Sequence, residues 1–146
     1  MSMFKIFDVA GSGMAAQSLR LNTTASNLAN ANSVASSPDK AYHAREPLFA
    51  AVQADAMAGG GGGGGNASDA TVGVRVTGIT TSQAAIPSHY EPGNPAADAQ
   101  GYVYGSNVNP IDELVNMISA SRSYQNDVEV MQSAKQLMLK TLDLGK

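Results

Sequence analysis

Cysteine is absent from all 146 residues, which excludes disulfides, thiol nucleophiles and zinc-thiolate sites and fits cytosol, periplasm and cell exterior equally well. Charge is scarce: charged residues make up 14% of the chain and the net charge is −3, so there is neither the basic field that nucleic acid needs nor an acidic tail. Long apolar runs are also missing. No stretch approaches about 18 consecutive apolar residues, and the opening Met1-Ser2-Met3-Phe4-Lys5-Ile6-Phe7-Asp8 lacks the apolar segment of a cleavable signal peptide. The sequence therefore predicts no membrane span and no cleaved leader. Histidine occurs twice, at His43 and His89, each without a second ligand at metal spacing. Ser88-His89 beside Glu91 and Asp98 has no Gly-x-Ser-x-Gly turn around it. The run Gly59 to Gly65 formally contains a dinucleotide-type glycine spacing, but no strand-to-helix context accompanies it. No catalytic residue, cofactor, metal or small-molecule substrate is expected.

What is present is helical at both ends. Apolar residues at 43% allow one modest core, weakened by 15 glycines. Residues 3 to 32 contain no proline and read as a helix with Met14, Leu21 and Leu28 seven apart and Ala10, Ala25 and Ala31 on the same broad face. Its other faces are polar and nearly uncharged, and Asn and Ser form helices poorly, so this helix needs a packing partner. From Asn109, which can cap, and Pro110, which suits a first turn, a second helix runs to Gly145. Its stripe is Ile111, Leu114, Met117/Ile118, Tyr124, Val128, Met131, Ala134, Met138 and Leu142. Asp127 and Glu129 read as solvent-facing. At 1.5 Å per residue this helix is roughly 50 Å long, more than so small a domain can cover. Unbranched methionines along it suit packing against neighbours in slightly different registers.

Between the helices, Arg45 to Val52 and Thr71 to Thr81 alternate as strands, with a bulge or bend expected at Gly78-Ile79. Glu91-Pro92-Gly93-Asn94 suits a type II turn, and Tyr102-Val103-Tyr104 a third strand. Tyr42, Phe49, Tyr90 and Tyr102 are the large candidates for the core of this unit. The expected fold is mainly α with a small β-rich insert, the terminal helices pairing as a coiled coil. The divisions are 1–34, 35–109 with a flexible glycine-rich loop at 58–70, and 110–146.

The string Ala25-Ser26-Asn27-Leu28-Ala29-Asn30-Ala31-Asn32 resembles the motif shared by rod and hook proteins of the bacterial flagellar axis. The stretches Tyr90 to Val103 and Asn107 to Gln125 resemble the short rod subunits of that family, as do Ile6 to Gly13 and Lys135 to Gly145. Two departures are visible: Gly105-Ser106 replaces a proline usual before Asn-Val, and the glycine run sits where relatives have a short connection. The resemblance implies a structural subunit of the proximal rod, exported by the flagellar type III apparatus without cleavage. It implies helical assembly in the periplasm, with itself and with other rod subunits, as part of the drive shaft to distal rod and hook. The assembly interface expected on that basis comprises Met14, Leu21, Ala25, Leu28, Asn30, Leu114, Met117, Ile118, Tyr124, Val128, Met131, Met138 and Leu142. The alternatives are another short rod subunit, or a soluble helical type III adaptor or chaperone that binds one partner through its C-terminal helix.

Seven glycines cannot pack a core, so their number should matter little. Replacing Gly59 to Gly65 with two or three residues should change unfolding free energy by about 1 kcal/mol or less, measured by urea denaturation. A larger loss would show that the run makes specific contacts.

Overall fold

A computed structural model describes residues 3–53 and 72–143. The readings of Gly59 to Gly65 as a loop and of Gly145 as a helix stop lie outside the described residues. The order of elements is α1 (Met3–Ala29), β1 (Val34–Ala35), a 3-10 turn (Pro38–Lys40), β2 (Arg45–Gln53), β3 (Val72–Thr81), β4 (Ser88–Tyr90), β5 (Tyr102–Gly105) and α2 (Pro110–Asp143). The chain is thus mainly helical with a small antiparallel β insert.

Among the described residues the insert comprises two sheets. β2 and β3 form an antiparallel ribbon, and β5 lies between β1 and β4 in a three-stranded sheet. In the ribbon, Leu48 pairs with Gly78 and Phe49 with Val76, which leaves Thr77 as the extra residue. The break in alternation near Gly78 is therefore a bulge, with the Thr77 hydroxyl donating to the Leu48 carbonyl at 3.2 Å. α1 packs on both α2 and the ribbon. Ser12 Oγ accepts from Val74 N at 3.1 Å and donates to Val9 O at 2.8 Å, stitching α1 to β3.

The core is small. Among the described residues its buried apolar members are Ala10, Ala16, Ala41, Ala44, Val103, Val108, Ala120 and Ala134, and the largest fully buried side chains are Val103 and Asn27. This corrects the expectation of an aromatic core. Phe49, Tyr90 and Tyr102 are exposed and Tyr42 is half-buried. A two-stranded ribbon and a short sheet cannot enclose rings of that size. Tyr90 and Tyr102 instead pack edge-on to each other, centroids 5.3 Å apart. The turn at Glu91–Asn94 closes with Asn94 N donating to Glu91 O at 3.0 Å, but Gly93 does not have the positive φ of a type II turn; among described residues only Gly101 does, at 86°. Between them, Asp98 Oδ1 accepts from Gln100 N at 2.9 Å and Tyr102 N at 2.8 Å, and Oδ2 from the Tyr104 hydroxyl at 3.2 Å. The Tyr102 amide and the other donors hold its carboxyl below the usual carboxylate range.

Two asparagines fix the insert between the helices. Asn27, 1% exposed, donates from Nδ2 to Arg45 O at 2.8 Å and Glu113 Oε1 at 3.1 Å, and accepts at Oδ1 from Arg45 N at 2.9 Å and the Tyr42 hydroxyl at 3.0 Å. Both of its N–H groups and both lone pairs are used, and the two-way pair with Arg45 imitates a strand peptide at the first residue of β2. Asn107 accepts from Ala44 N at 2.7 Å and donates to Ala84 O at 3.0 Å. Asn27→Ala strands buried polar groups on three segments and should cost about 2–4 kcal/mol in urea denaturation, whereas Asn22→Ala, on the exposed side, should fall within about 0.5 kcal/mol. Equal effects of the two substitutions would refute the hub.

Candidate assembly surface

α1 and α2 run antiparallel, because successive contacts pair rising numbers on one with falling numbers on the other. Asn27 meets Glu113 and Arg20 Nη2 donates to Asn116 Oδ1 at 2.9 Å. Gly13 faces Asp127, and Ile6 shares a groove with Val130, Ala134 and Leu137. Asp127 is therefore half-buried between the helices, which corrects its reading as solvent-facing. Gly13 permits the approach: a Cβ there would lie 2.7 Å from Asp127 Oδ2. Small and polar side chains dominate the seam on α1, with Ala10, Gly13, Gln17, Arg20, Thr24 and Asn27 buried or half-buried. Gln17 Oε1 is buried with no hydrogen-bond partner among the described residues.

The apolar stripe expected on α1 sits beside this seam rather than in it. Met14, Leu21 and Leu28 are half-buried on the flank, and Ala25 is exposed. Asn30 serves its own helix end, with Nδ2 donating to Ser26 O at 2.8 Å and its carbonyl accepting from Ser33 Oγ at 2.7 Å. On α2, Met117, Met131 and Met138 are half-buried, as is Val128. Leu114, Ile118 and Leu142 are exposed and Tyr124 is exposed at the edge. The start of α2 forms as expected: Asn109 Oδ1 accepts from Ile111 N at 3.1 Å.

Sequence reasoning left Ile111, although in its stripe, and Val115 out of the expected interface. Ile111 is 71% and Val115 61% exposed, joining Leu114 and Ile118 in one patch. Farther along, Val130, Leu137 and Leu139 are exposed too. The signal was available: 111, 114, 115 and 118 have the spacing i, i+3, i+4, i+7 of a complete helical stripe. Among the described residues nothing covers this apolar band, and a band of this extent is the kind of surface that proteins use for contacts. Among the described residues no three His, Asp or Glu side chains converge as metal ligands, and no helix is long and apolar enough to cross a membrane.

Beside the hub, burial pushes the Glu113 carboxyl above its ordinary value near 4.5; the Asn27 hydrogen bond opposes this, Glu46 and Asp112 add repulsion, and Arg20 opposes again. A carboxyl whose folded-state value is raised takes up its proton first in the folded chain. Its contribution to stability is therefore unfavourable at neutral pH and improves as pH falls toward 4.5. Glu113→Gln keeps an oxygen for Asn27 and removes the ionisation. The variant should be at least as stable as the parent at pH 7 and should lose that part of the pH dependence, read from urea midpoints between pH 4 and 8. A marked loss of stability at pH 7 would show that the ionised form is required.

Two family models match the chain. One described as "Flagella basal body rod protein" covers residues 7–35, and one described as "Flagellar basal body rod FlgEFG protein C-terminal" covers residues 99–144. They fall on α1 with the turn after it, and on β5 with α2. The chain is 49% identical to the flagellar basal-body rod protein FlgC of Salmonella typhimurium over 146 residues, covering 100% of both chains. It is 48% identical to that of Yersinia enterocolitica over 146 residues and 39% identical to that of Buchnera aphidicola subsp. Acyrthosiphon pisum over 149, again covering 100% of each. A polar-seamed helix pair with an uncovered apolar band, and likeness along its whole length to these proteins, place the chain in the flagellar basal-body rod protein FlgC family, whose members are structural rod subunits and not enzymes.

Proposed function

We propose that this chain is a proximal-rod subunit exported through the flagellar type III apparatus without cleavage, assembling helically in the periplasm into the shaft that carries torque to distal rod and hook. It packs there against copies of itself and other rod subunits. The uncovered patch of Ile111, Leu114, Val115 and Ile118 is the observation that carries this reading. A heterologous contact repeated without closing generates a helical tube, and a long helix with one face on α1 and another face free suits such a contact. The spacing of the intrachain seam supports coiled-coil pairing: positions 6, 10, 13, 17, 20, 24 and 27 on α1 and 113, 117, 120, 124, 127, 131, 134 and 138 on α2 alternate steps of three and four. Within the expected interface, Leu114, Ile118 and Leu142 serve neighbours directly, and Tyr124, at the edge of the seam, serves both α1 and neighbours. Met14, Leu21, Ala25, Leu28 and Val128 flank the pair and serve them at the edges. Met117, Met131 and Met138 act chiefly through α1, and Asn30 through the end of its helix. The division at 34 and 109 separates the helices that build the shaft from the insert between them.

The two classes of position should separate by experiment. Ile118→Asp should leave circular dichroism and the urea midpoint of the monomer near the parent values, yet exclude the subunit from basal bodies and abolish swimming. Met131→Asp should lower the monomer midpoint, because it sets a second carboxylate beside Asp127 in the seam. Incorporation of Ile118→Asp at the parent level would overturn the assembly reading of this patch.

A further inference from the structure

In an antiparallel pair the main chain of successive residues turns alternately toward the partner strand and away from it. Ser82 N donates to Ala44 O at 2.7 Å, so Ala44 faces the β3 side, and Arg45 turns its N and O outward, where Asn27 takes both. At the other end of the ribbon, Val74 N is bonded to Ser12 Oγ and points away from β2; its partner Ala51 therefore turns outward as well. Counted by twos, the outward residues of β2 are Arg45, Pro47, Phe49 and Ala51. Asn27 closes the edge at Arg45, and Pro47 has no N–H to offer. Phe49 and Ala51 are exposed, and among the described residues nothing bonds to their outward N–H and C=O groups. Helix α1 accounts for the gap. It meets the β2 edge at Asn27 and the β3 edge at Ser12, so it crosses the ribbon and leaves β2 beyond Pro47 uncovered. A cavity of about 370 Å³ opens between Pro47 and Phe49 and the facing parts of the two helices, at Arg20, Thr24, Glu113 and Asn116.

We propose that β2 takes a further strand along Phe49 and Ala51, supplied by a different protein chain as an extended, proline-free segment that is apolar on both faces. The chemistry of the partner follows from the edge. An extended main chain supplies the donors and acceptors that two alternate strand residues call for, and a proline in it would remove one of them. Leu48-Phe49-Ala50-Ala51-Val52 is apolar at every position, the pattern of a strand inside a sheet, yet it stands at an edge with Leu48, Phe49 and Val52 exposed. A neighbouring strand would meet apolar side chains on both of its faces. A second copy of this chain is a poor source. On β3, Val74 N is bonded to Ser12 and Thr81 O to Gln83, β4 is only Ser88–Tyr90, and no other described strand has five apolar residues in succession. Pairing β2 with β2 relates two copies by a two-fold axis and closes the contact, whereas copies repeated along a helical tube are not so related. That last step rests on the reading of the chain as a helically assembling subunit.

Proline tests the edge without touching the ribbon, because the Ala51 N–H is not part of the pairing with β3. In the monomer, NMR should find the Ala51 amide exchanging with solvent about tenfold or more faster than that of Ala50, which faces Arg75 of β3. Equal protection would show the edge already closed and overturn the proposal. In flagellated cells, Ala51→Pro should lower the subunit content of purified basal bodies about tenfold or more, with the monomer urea midpoint near the parent value. Ala51→Val, which keeps the N–H, should incorporate as the parent does. If proline lowers the midpoint, Ala51→Lys replaces it, with the same loss expected. With Phe49 replaced by the photoreactive p-benzoylphenylalanine, irradiated basal bodies should yield a cross-link, located by mass spectrometry, to a proline-free apolar segment of another protein. Incorporation of Ala51→Pro at the parent level, no cross-link, a cross-link to a polar segment, or one to a second copy of this chain overturns the proposal. Such a failure leaves the reading of the α2 patch standing if Ile118→Asp is excluded from basal bodies; if Ile118→Asp assembles normally, that reading fails by itself.

Discussion

The side chain of Asn27 is the constraint on which the arrangement of elements depends. It is an amide buried at the meeting of α1, the segment at Tyr42, the first residue of β2 and the first turn of α2, with each hydrogen-bonding position occupied. A buried amide is tolerated only when all its partners are in place, so all three segments must arrive together. Leucine, of similar branched shape but larger, would add apolar burial and leave Arg45 N and O unpaired. The Ala25 to Asn32 string therefore has a physical reason at its centre: an amide that specifies geometry where an apolar residue would specify only burial.

From that hub outward, the chain divides its side chains in an unusual way for a small protein. On α1 the seam takes mostly small and polar residues, and many of the chain's large apolar side chains face away from it. A helix pair joined by Ala, Gly, Asn, Thr and Arg comes close but gains little from burial, since alanine removes little apolar surface from water. The larger gain is left for contacts the single chain cannot make. On the reading proposed above, such a subunit finishes its packing in the assembly, with neighbours over the exposed face of α2.

Much of this was legible in the sequence, and the misses share a cause. Helix α2 announced itself through Asn109, Pro110 and its period, and β2, β3 and β5 through alternation, because these are local signals. The bulge beside Gly78 was local too. Counting apolar residues, on the assumption that large ones mark where the chain packs on itself, did not find the internal seam. Met14, Leu21 and Leu28 are the conspicuous residues of α1, yet the partner helix lies against Gly13, Arg20 and Asn27, which no hydrophobic count selects. The same assumption sent Phe49, Tyr90 and Tyr102 into a core that the insert is too thin to provide. Period identifies faces; it does not say which face belongs to the chain and which to a neighbour.

The close approach of Asp127 to Gly13 has a mechanical consequence. Sliding one helix along the other by a heptad would bring Ile6 or Arg20 opposite that carboxylate in place of glycine, and neither leaves room for the side chain at the same interhelical distance. The Asp127 side chain would have to swing out, or the helices part, before the pair could shift. Glycine here acts as a detent, favouring this register of the helix pair over those a heptad away.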